Sequence, residues 1–147
     1  MSDKFFLNTG VLVYSFDRAD PRKREIARSL ISDALESGTG IISYQVVQEF
    51  LDAATRKFII PLTAADAQRY LSVVLEPLCE VYASPELSHQ ALEIADAWRI
   101  SFYDSLIVAA ALQADCRILF SEDLQDGLKI RGLSVRNPFV GRKESGE

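Results

Sequence analysis

Carboxylates dominate the residue types here that could do chemistry, and their order along the chain is informative. Between Ser101 and Gly127, Asp104 heads an apolar, helix-like run. A short β-branched segment follows at Arg117–Phe120, and an acidic turn then holds Glu122, Asp123 and Asp126. A helix-start acid, a buried helix, a strand and an acidic turn can gather several carboxylates at one rim of a parallel sheet. Ligands of open α/β sheets bind beyond the carboxyl ends of the strands, where Asp123 is expected. Glu49, much earlier in the chain, borders the apolar arc of another helix and is able to join them. Carboxylates held close repel strongly, whereas hard cations such as Mg²⁺ and Mn²⁺ prefer such oxygen ligands. The cluster makes sense with a metal in it.

Each acid also has a plainer reading. Ser101 to Asp104 has the spacing of a capping box, and an early-turn acid favours the helix dipole. A solvated helix face would account for Glu49, and an ordinary polar turn for Glu122, Asp123 and Asp126. Against this, Asp104 is followed by Leu106, Ile107, Val108 and four alanines. An acid heading so apolar a helix needs a partner.

The elements that must position these acids can be read in order. Phe5–Leu7 and Val11–Tyr14 are nearly unbroken apolar runs around Asn8-Thr9-Gly10, the pattern of a strand buried on both faces. Gly10 permits a sharp turn there. Asp20-Pro21 opens a helix that carries Ile26, Leu30, Ile31, Ala34 and Leu35 and ends at Gly38. Gly40–Ser43 is a second strand. The next helix turns Val46, Val47, Phe50, Leu51 and Ala54 inward, with Glu49 just outside that arc. Pro61 interrupts the pattern, and Thr63 caps another helix. Cys79–Ala83 and Leu133–Arg136 read as short strands, with a helix from Ser84-Pro85 to Trp98 after the first. Strands alternating with helices predict a three-layer α/β fold, its central, mostly parallel sheet of four to five strands flanked by helices. Residues 1–140 are expected to form one domain and 141–147 a flexible polar tail.

Composition narrows the classes. The chain has 147 residues, 48% apolar and 25% charged, an ordinary globular balance. No run reaches the ~18 consecutive apolar residues of a membrane helix. The N-terminal Met-Ser-Asp-Lys lacks a signal-peptide pattern, so a cytoplasmic protein is expected. Cys79 and Cys116 sit in apolar surroundings and read as free thiols. A net charge of −5 argues against nucleic-acid binding by bulk electrostatics, though not against local basic patches beside a metal-filled acidic site.

Taken with Asn8, Glu49, Asp104 and Asp123, the chain resembles the PIN domains, and more narrowly the VapC-type toxin ribonucleases of toxin–antitoxin pairs. The matching stretches are FFLNTGVLVYSFD, VVQEF, YDSLIVAAAL, LFSEDLQDG and the closing Val135–Phe139. The resemblance implies a Mg²⁺- or Mn²⁺-dependent endoribonuclease, an RNA substrate, a VapB-like antitoxin that blocks the site, and a homodimer. It carries Glu49, Asp104 and Asp123 over as metal-site acids and Asp126 as a further acid of some members. Ser121 or Thr9 would order the site. The family pattern on the first strand is Leu-Asp-Thr-Asn, where this chain has Leu7-Asn8-Thr9-Gly10. Asn8, carried over with these acids as a catalytic-site residue, keeps the shape and one carbonyl oxygen of the expected aspartate but loses its charge; it can still ligate a hard cation, though more weakly, and cannot act as a base. The implied activity is metal-assisted phosphodiester hydrolysis, with Arg18, Arg22, Lys23, Arg24 and Arg28 as the basic face for an RNA backbone. Tyr14, Phe16, Tyr44 and Phe102 are available either to stack bases or to pack the core.

The alternative is a catalytically degenerate PIN domain that binds RNA or antitoxin without cutting. A phospho-acceptor receiver would need an aspartate ending a central strand and a suitably placed lysine, and neither is evident. His89, the single histidine, lies within a helix and gives no triad, and no glycine-rich phosphate loop is present.

Overall fold

The computed structural model describes residues 3–140, so the expected tail at 141–147 lies outside the described residues. Six short strands form one sheet in the order β3-β2-β1-β4-β6-β5. They are β1 (Phe5–Leu7), β2 (Gly40–Ser43), β3 (Cys79–Val81), β4 (Ile118–Phe120), β5 (Lys129–Ile130) and β6 (Leu133–Arg136). All neighbouring pairs are parallel except β5 with β6. The chain steps outward from β1 to β2 and β3, then returns to place β4 on the other side of β1. The connection direction reverses between β1 and β4, which makes the crevice at their carboxyl ends the topological switch point.

Helices cover both faces. Asp20 caps α2 (Pro21–Ser37) by accepting the Lys23 N–H, and Gly38 ends it at φ 72°, a left-handed stop that glycine adopts freely. After β2 comes α3 (Tyr44–Arg56), then α4 (Ala64–Tyr70), which runs through a π-helical segment at Leu71–Leu75 into α5 (Glu76–Leu78). Next are α6 (Pro85–Trp98) and α7 (Phe102–Gln113), the most deeply packed helix, with Ser105, Ile107, Val108, Ala109, Ala110 and Ala111 all buried. Among the described residues no helix is long and apolar enough to cross a membrane.

Two expectations change. Val11–Tyr14 is not strand but the body of a short helix, α1 (Thr9–Tyr14). Asn8 ends β1 and accepts the Thr9 N–H through its side chain, so it starts a helix where the apolar run suggested an extended chain. Val11 and Leu12 keep the burial they were read for, at 1% and 0% exposed. The apolar signal was sound and the period misleading, because a six-residue helix pressed into a core shows no amphipathic repeat. Gly10 lies inside that helix with open space where a Cβ would stand, so no sharp turn is built on it.

The sheet also gains β5, a two-residue strand too short to show alternation. It pairs with β6 across Arg131-Gly132, both at positive φ (51° and 88°), as a tight two-residue hairpin loop requires. The two cysteines are free thiols as read; Cys116 is buried, and burial pushes its thiol up to about 12.

Packing of α2 on the sheet depends on a glycine chosen for close approach. A Cβ at Gly40 would lie within 2.1 Å of the Ala34 Cβ and 2.6 Å of its Cα. Backbone on one side and β1 on the other leave no room to yield. Gly40→Ala is therefore expected to destabilise the protein by at least about 1–3 kcal/mol, measurable as a lowered urea midpoint, whereas Gly10→Ala should be tolerated.

Candidate active site

At the switch point, β1 ends in Asn8 and β4 runs into Ser121, and both residues are buried. Every polar group of Asn8 is engaged. Its N–H donates to Phe120 O at 3.1 Å and its carbonyl accepts from Val11 N at 3.1 Å. Its Oδ1 accepts from Thr9 N at 2.8 Å, and its Nδ2 donates to Ser121 Oγ at 3.1 Å and, more loosely, toward Asp123 Oδ2 at 3.5 Å. The amide cannot be turned round: a backbone N–H needs an oxygen acceptor, so Oδ1 belongs to Thr9 and the NH₂ faces the acids. Ser121 Oγ also accepts from Asp123 N at 3.2 Å, fixing the start of the acidic turn.

From the neighbouring crossover, α3 brings Glu49. Its carboxylate accepts from Thr9 Oγ1 at 2.5 Å and from Gln45 Nε2 at 3.1 Å. The rotation of α3 is set from behind, where Val46, Val47, Phe50 and Ala54 are buried. Phe50 stacks on Tyr70 with ring centroids 4.9 Å apart. Asp104 arrives on the first turn of α7, where Ser101 Oγ accepts its N–H at 3.1 Å. Among the described residues the return bond of a capping box, from the Asp104 carboxylate to Ser101 N–H, is not made.

These acids feel one another. Burial raises the Asp123 carboxyl above the usual range, and the charges of Asp104, Glu122 and Glu49 raise it further. Four acids from three segments distant in sequence thus act on one rim. Neutral donors oppose the repulsion: the Thr9 hydroxyl and the Gln45 amide at Glu49, and the Asn8 amide toward Asp123. Glu122 is balanced separately, by an ion pair to Lys23 at 2.6 Å and a hydrogen bond from Tyr14 Oη at 2.9 Å.

By donor chemistry, Glu49, Asp104 and Asp123 suit a hard divalent cation, which would offset their mutual repulsion. Asn8 suits it less: Thr9 N–H takes one lone pair of its oxygen, and its amide N–H is turned toward Asp123. In keeping with that, among the described residues no group of three or more His, Cys, Asp or Glu side chains is gathered closely enough to hold a metal as it stands.

Other expected site residues fall elsewhere. Asp126 accepts from Asn137 N at 2.8 Å, tying the acidic turn to the end of β6, and it is not among the charges acting on Asp123. Lys23 is held by Glu122 and lies over the Tyr14 ring, 4.4 Å from its centroid. Arg28 Nε donates to Ser15 O at 2.9 Å, and the buried Nε of Arg24 has no partner. Arg18 and Arg22 are exposed. Phe16 packs in the core, between Phe50, Phe58 and Tyr70. Gln45 was not foreseen. It joins Glu49 to the carbonyl oxygen of Tyr103 (3.3 Å), and its place four residues before Glu49 on one helix was the available signal.

Comparison with known proteins agrees with this architecture. A family model for the PIN domain matches residues 5–126. No curated protein matches the chain by sequence. Among solved structures it is similar to a toxin–antitoxin complex from Klebsiella pneumoniae (TM-score 0.66, 19% identity, covering 92% of this chain and 98% of that one). It is also similar to VapBC2 from Rickettsia felis bound to a promoter DNA fragment (TM-score 0.61, 18% identity, 90% and 96% covered). A third is VapC20 from Mycobacterium tuberculosis, described as a toxin that cleaves the sarcin–ricin loop (TM-score 0.58, 18% identity, 82% and 90% covered). At such identities these likenesses speak for a shared fold. The family model, spanning most of the chain, says more: this chain belongs to the PIN-domain family.

Proposed function

We propose that the chain is a divalent-metal-dependent endoribonuclease, the toxin of a VapBC-type toxin–antitoxin pair, attenuated as written by Asn8. The observation that carries this reading is the mutual influence of Asp104, Glu49 and Asp123 at the switch point, three acids far apart in sequence. A partly buried carboxylate pressed by two more is costly unless positive charge arrives. The structural likeness to toxins solved with antitoxin or DNA supports an antitoxin as partner. The likeness to a sarcin–ricin-loop-cleaving toxin supports RNA as substrate. Mg²⁺ or Mn²⁺ is the expected ion, and a homodimer the expected assembly.

Glu49, Asp104 and Asp123 would hold the cation. When bound, it supplies Lewis acidity toward the phosphoryl oxygens and toward water. The chain's own residues do the rest. Asp104 or Asp123 would also orient the attacking water. Thr9 and Gln45 fix the Glu49 carboxylate, and Ser121 fixes the Asp123 backbone. The exposed Arg18 and Arg22 are available to an RNA backbone, whereas Lys23 is paired with Glu122.

Asn8 also gives the alternative its support. An amide N–H directed at Asp123 supplies, from within the protein, part of the positive potential a cation would bring. A chain so arranged could bind RNA or antitoxin without cutting.

Three proteins separate the readings: the chain as written, Asn8→Asp, and Asn8→Asp combined with Asp104→Asn. Mn²⁺ affinity and Mn²⁺-dependent RNA cleavage are expected to rise roughly 10- to 100-fold in the second, the range seen when groups around a metal site are changed. Both should collapse in the third. Equal rates in all three would remove this site as the seat of activity, and no cleavage even with Asp at position 8 would leave the binding module.

Stability should report the same charge balance. Because the Asp123 carboxyl is raised in the folded state, its contribution is fully present below the ordinary carboxylate range and is lost as pH climbs through the raised value. In metal-free buffer at neutral pH, Asp123→Asn should therefore raise the melting temperature, by a few degrees at most since solvent screens the group. The gain should vanish in acid. Added Mn²⁺ should stabilise the parent protein more than the variant, which calorimetry can read.

A further inference from the structure

Glu49 and Asp104 stand on different helices, and little holds those two helices directly together. α3 packs mainly on α1, and α7 mainly on α6. A cleft of about 170 Å³ opens between them, with Gln45 and Gln48 on the α3 side, Tyr103 and Leu106 on the α7 side, and Tyr82 just past β3. One side chain bridges the gap. Gln45 Nε2 donates to Glu49 Oε2 at 3.1 Å and to the carbonyl oxygen of Tyr103 at 3.3 Å. Among the described residues no other hydrogen bond joins α3 to α7.

The partners themselves set the direction of the amide. A carboxylate and a carbonyl are both acceptors, so the NH₂ must face them, one hydrogen to each. Each partner also belongs to one of the rim acids. Oε2 is Glu49's own, and Tyr103 immediately precedes Asp104 in the first turn of α7. The other Glu49 oxygen accepts from Thr9 Oγ1, at the start of α1. Ser101 Oγ accepts the Asp104 N–H and holds that turn from its outer end. Gln45 thus completes a run of bonds from α1, through the Glu49 carboxylate, to the turn that carries Asp104.

We propose that Gln45 is a positioning residue that limits how far Glu49 and Asp104 can spread, and thereby makes the rim prefer a small divalent cation to a large one. The proposal rests on the metal-site reading, and it adds what sets the choice of ion. Mg²⁺ demands near-ideal octahedral geometry with bonds of about 2.0–2.1 Å, whereas Ca²⁺ takes more oxygens at about 2.3–2.6 Å and tolerates a flexible site. Discrimination between them follows cavity size, ligand number and rigidity. Acids on helices free to separate would adapt to either ion. Acids joined through one amide adapt less, and the larger ion loses more by it.

The test uses the full chain carrying Asn8→Asp, with Gln45→Met or Gln45→Glu added. Both substitutions keep the side-chain length at a half-buried position, and melting of the metal-free proteins checks that each folds. Titration calorimetry then reads affinity for Mn²⁺, Mg²⁺ and Ca²⁺. Gln45→Met should weaken Mn²⁺ and Mg²⁺ binding roughly tenfold, as removal of a group that orients a metal ligand does. Ca²⁺ should lose less, so the preference for Mg²⁺ over Ca²⁺ falls. Gln45→Glu has no donor and brings another carboxylate, so its preference should fall further, since added oxygens favour the larger ion. Hydrogen exchange in the metal-free protein gives a second readout. The Ser105 N–H, bonded to Ser101 O at 2.9 Å in the first turn of α7, should exchange faster in Gln45→Met than in its parent.

An ion preference unmoved by Gln45→Met and Gln45→Glu overturns the proposal. So does an equal loss for all three ions with Ser105 exchange unaltered, which would make Gln45 a support of Glu49 alone. A parent that binds none of the three ions removes the metal site, and this inference with it. RNA cleavage, assayed separately, reports on the nuclease reading. Cleavage by a parent whose ion preference ignores Gln45 sinks the inference and leaves the nuclease standing; a Gln45-dependent preference without cleavage does the reverse.

Discussion

The bonding of one buried amide, Asn8, ties the sheet to its acidic rim. Its backbone joins β1 to β4 and begins α1, while its side chain caps that helix with one end and holds Ser121 and reaches toward Asp123 with the other. A buried polar side chain must satisfy both its donors and its acceptor. Here the same bonds that satisfy it fix the geometry of the switch point. An aspartate at this position could still cap Thr9, but its second oxygen would face Asp123 as a further negative charge. The residue therefore decides whether the rim is tolerable alone or only around a cation.

The rest of the site is a balance of repulsion against positioning. Burial and neighbouring acids raise Asp123, and a hydroxyl and an amide donor hold the Glu49 carboxylate in place without cancelling its charge. Lys23 is drawn off to Glu122 and packed over aromatic rings. That clamp fastens α2 to the acidic turn. The rim proper keeps its negative potential, as a site meant to attract a divalent ion would.

Rigidity behind the rim comes from packing. Phe16, Phe50, Phe58 and Tyr70 form a continuous aromatic group joining the end of α1, α3 and α4, with the Tyr70 phenol pushed up to about 12 by burial. It fixes the rotation of α3 and so the direction from which Glu49 approaches Thr9. On the other side, the alanine-rich α7 packs close enough to the sheet for Asp104 to stand at its edge. The acids lie on three separate elements, and each element is anchored by apolar contacts that carry no chemistry of their own.

The order of the acids, their helix-start and strand-end positions, the alternation of strands and helices, and the odd residue at position 8 were all legible in the chain itself. Each rests on local rules: capping chemistry, apolar periodicity and the identity of single side chains. Where those rules lost force, so did the reading. Val11–Tyr14 carries the apolar signature of a strand yet is helical, because a cap and a tertiary slot outweigh a short segment's preference. β5 is too brief to have a period at all. Only the folded molecule decided that Asp126 serves the turn, that Lys23 belongs to Glu122, and that Asn8 points its N–H at Asp123. It also brought Tyr82 and Tyr103, 21 positions apart, to one cleft beside the acids. Such pairings depend on the side-chain directions and distances set when distant segments pack, and a linear sequence holds the partners without holding their geometry.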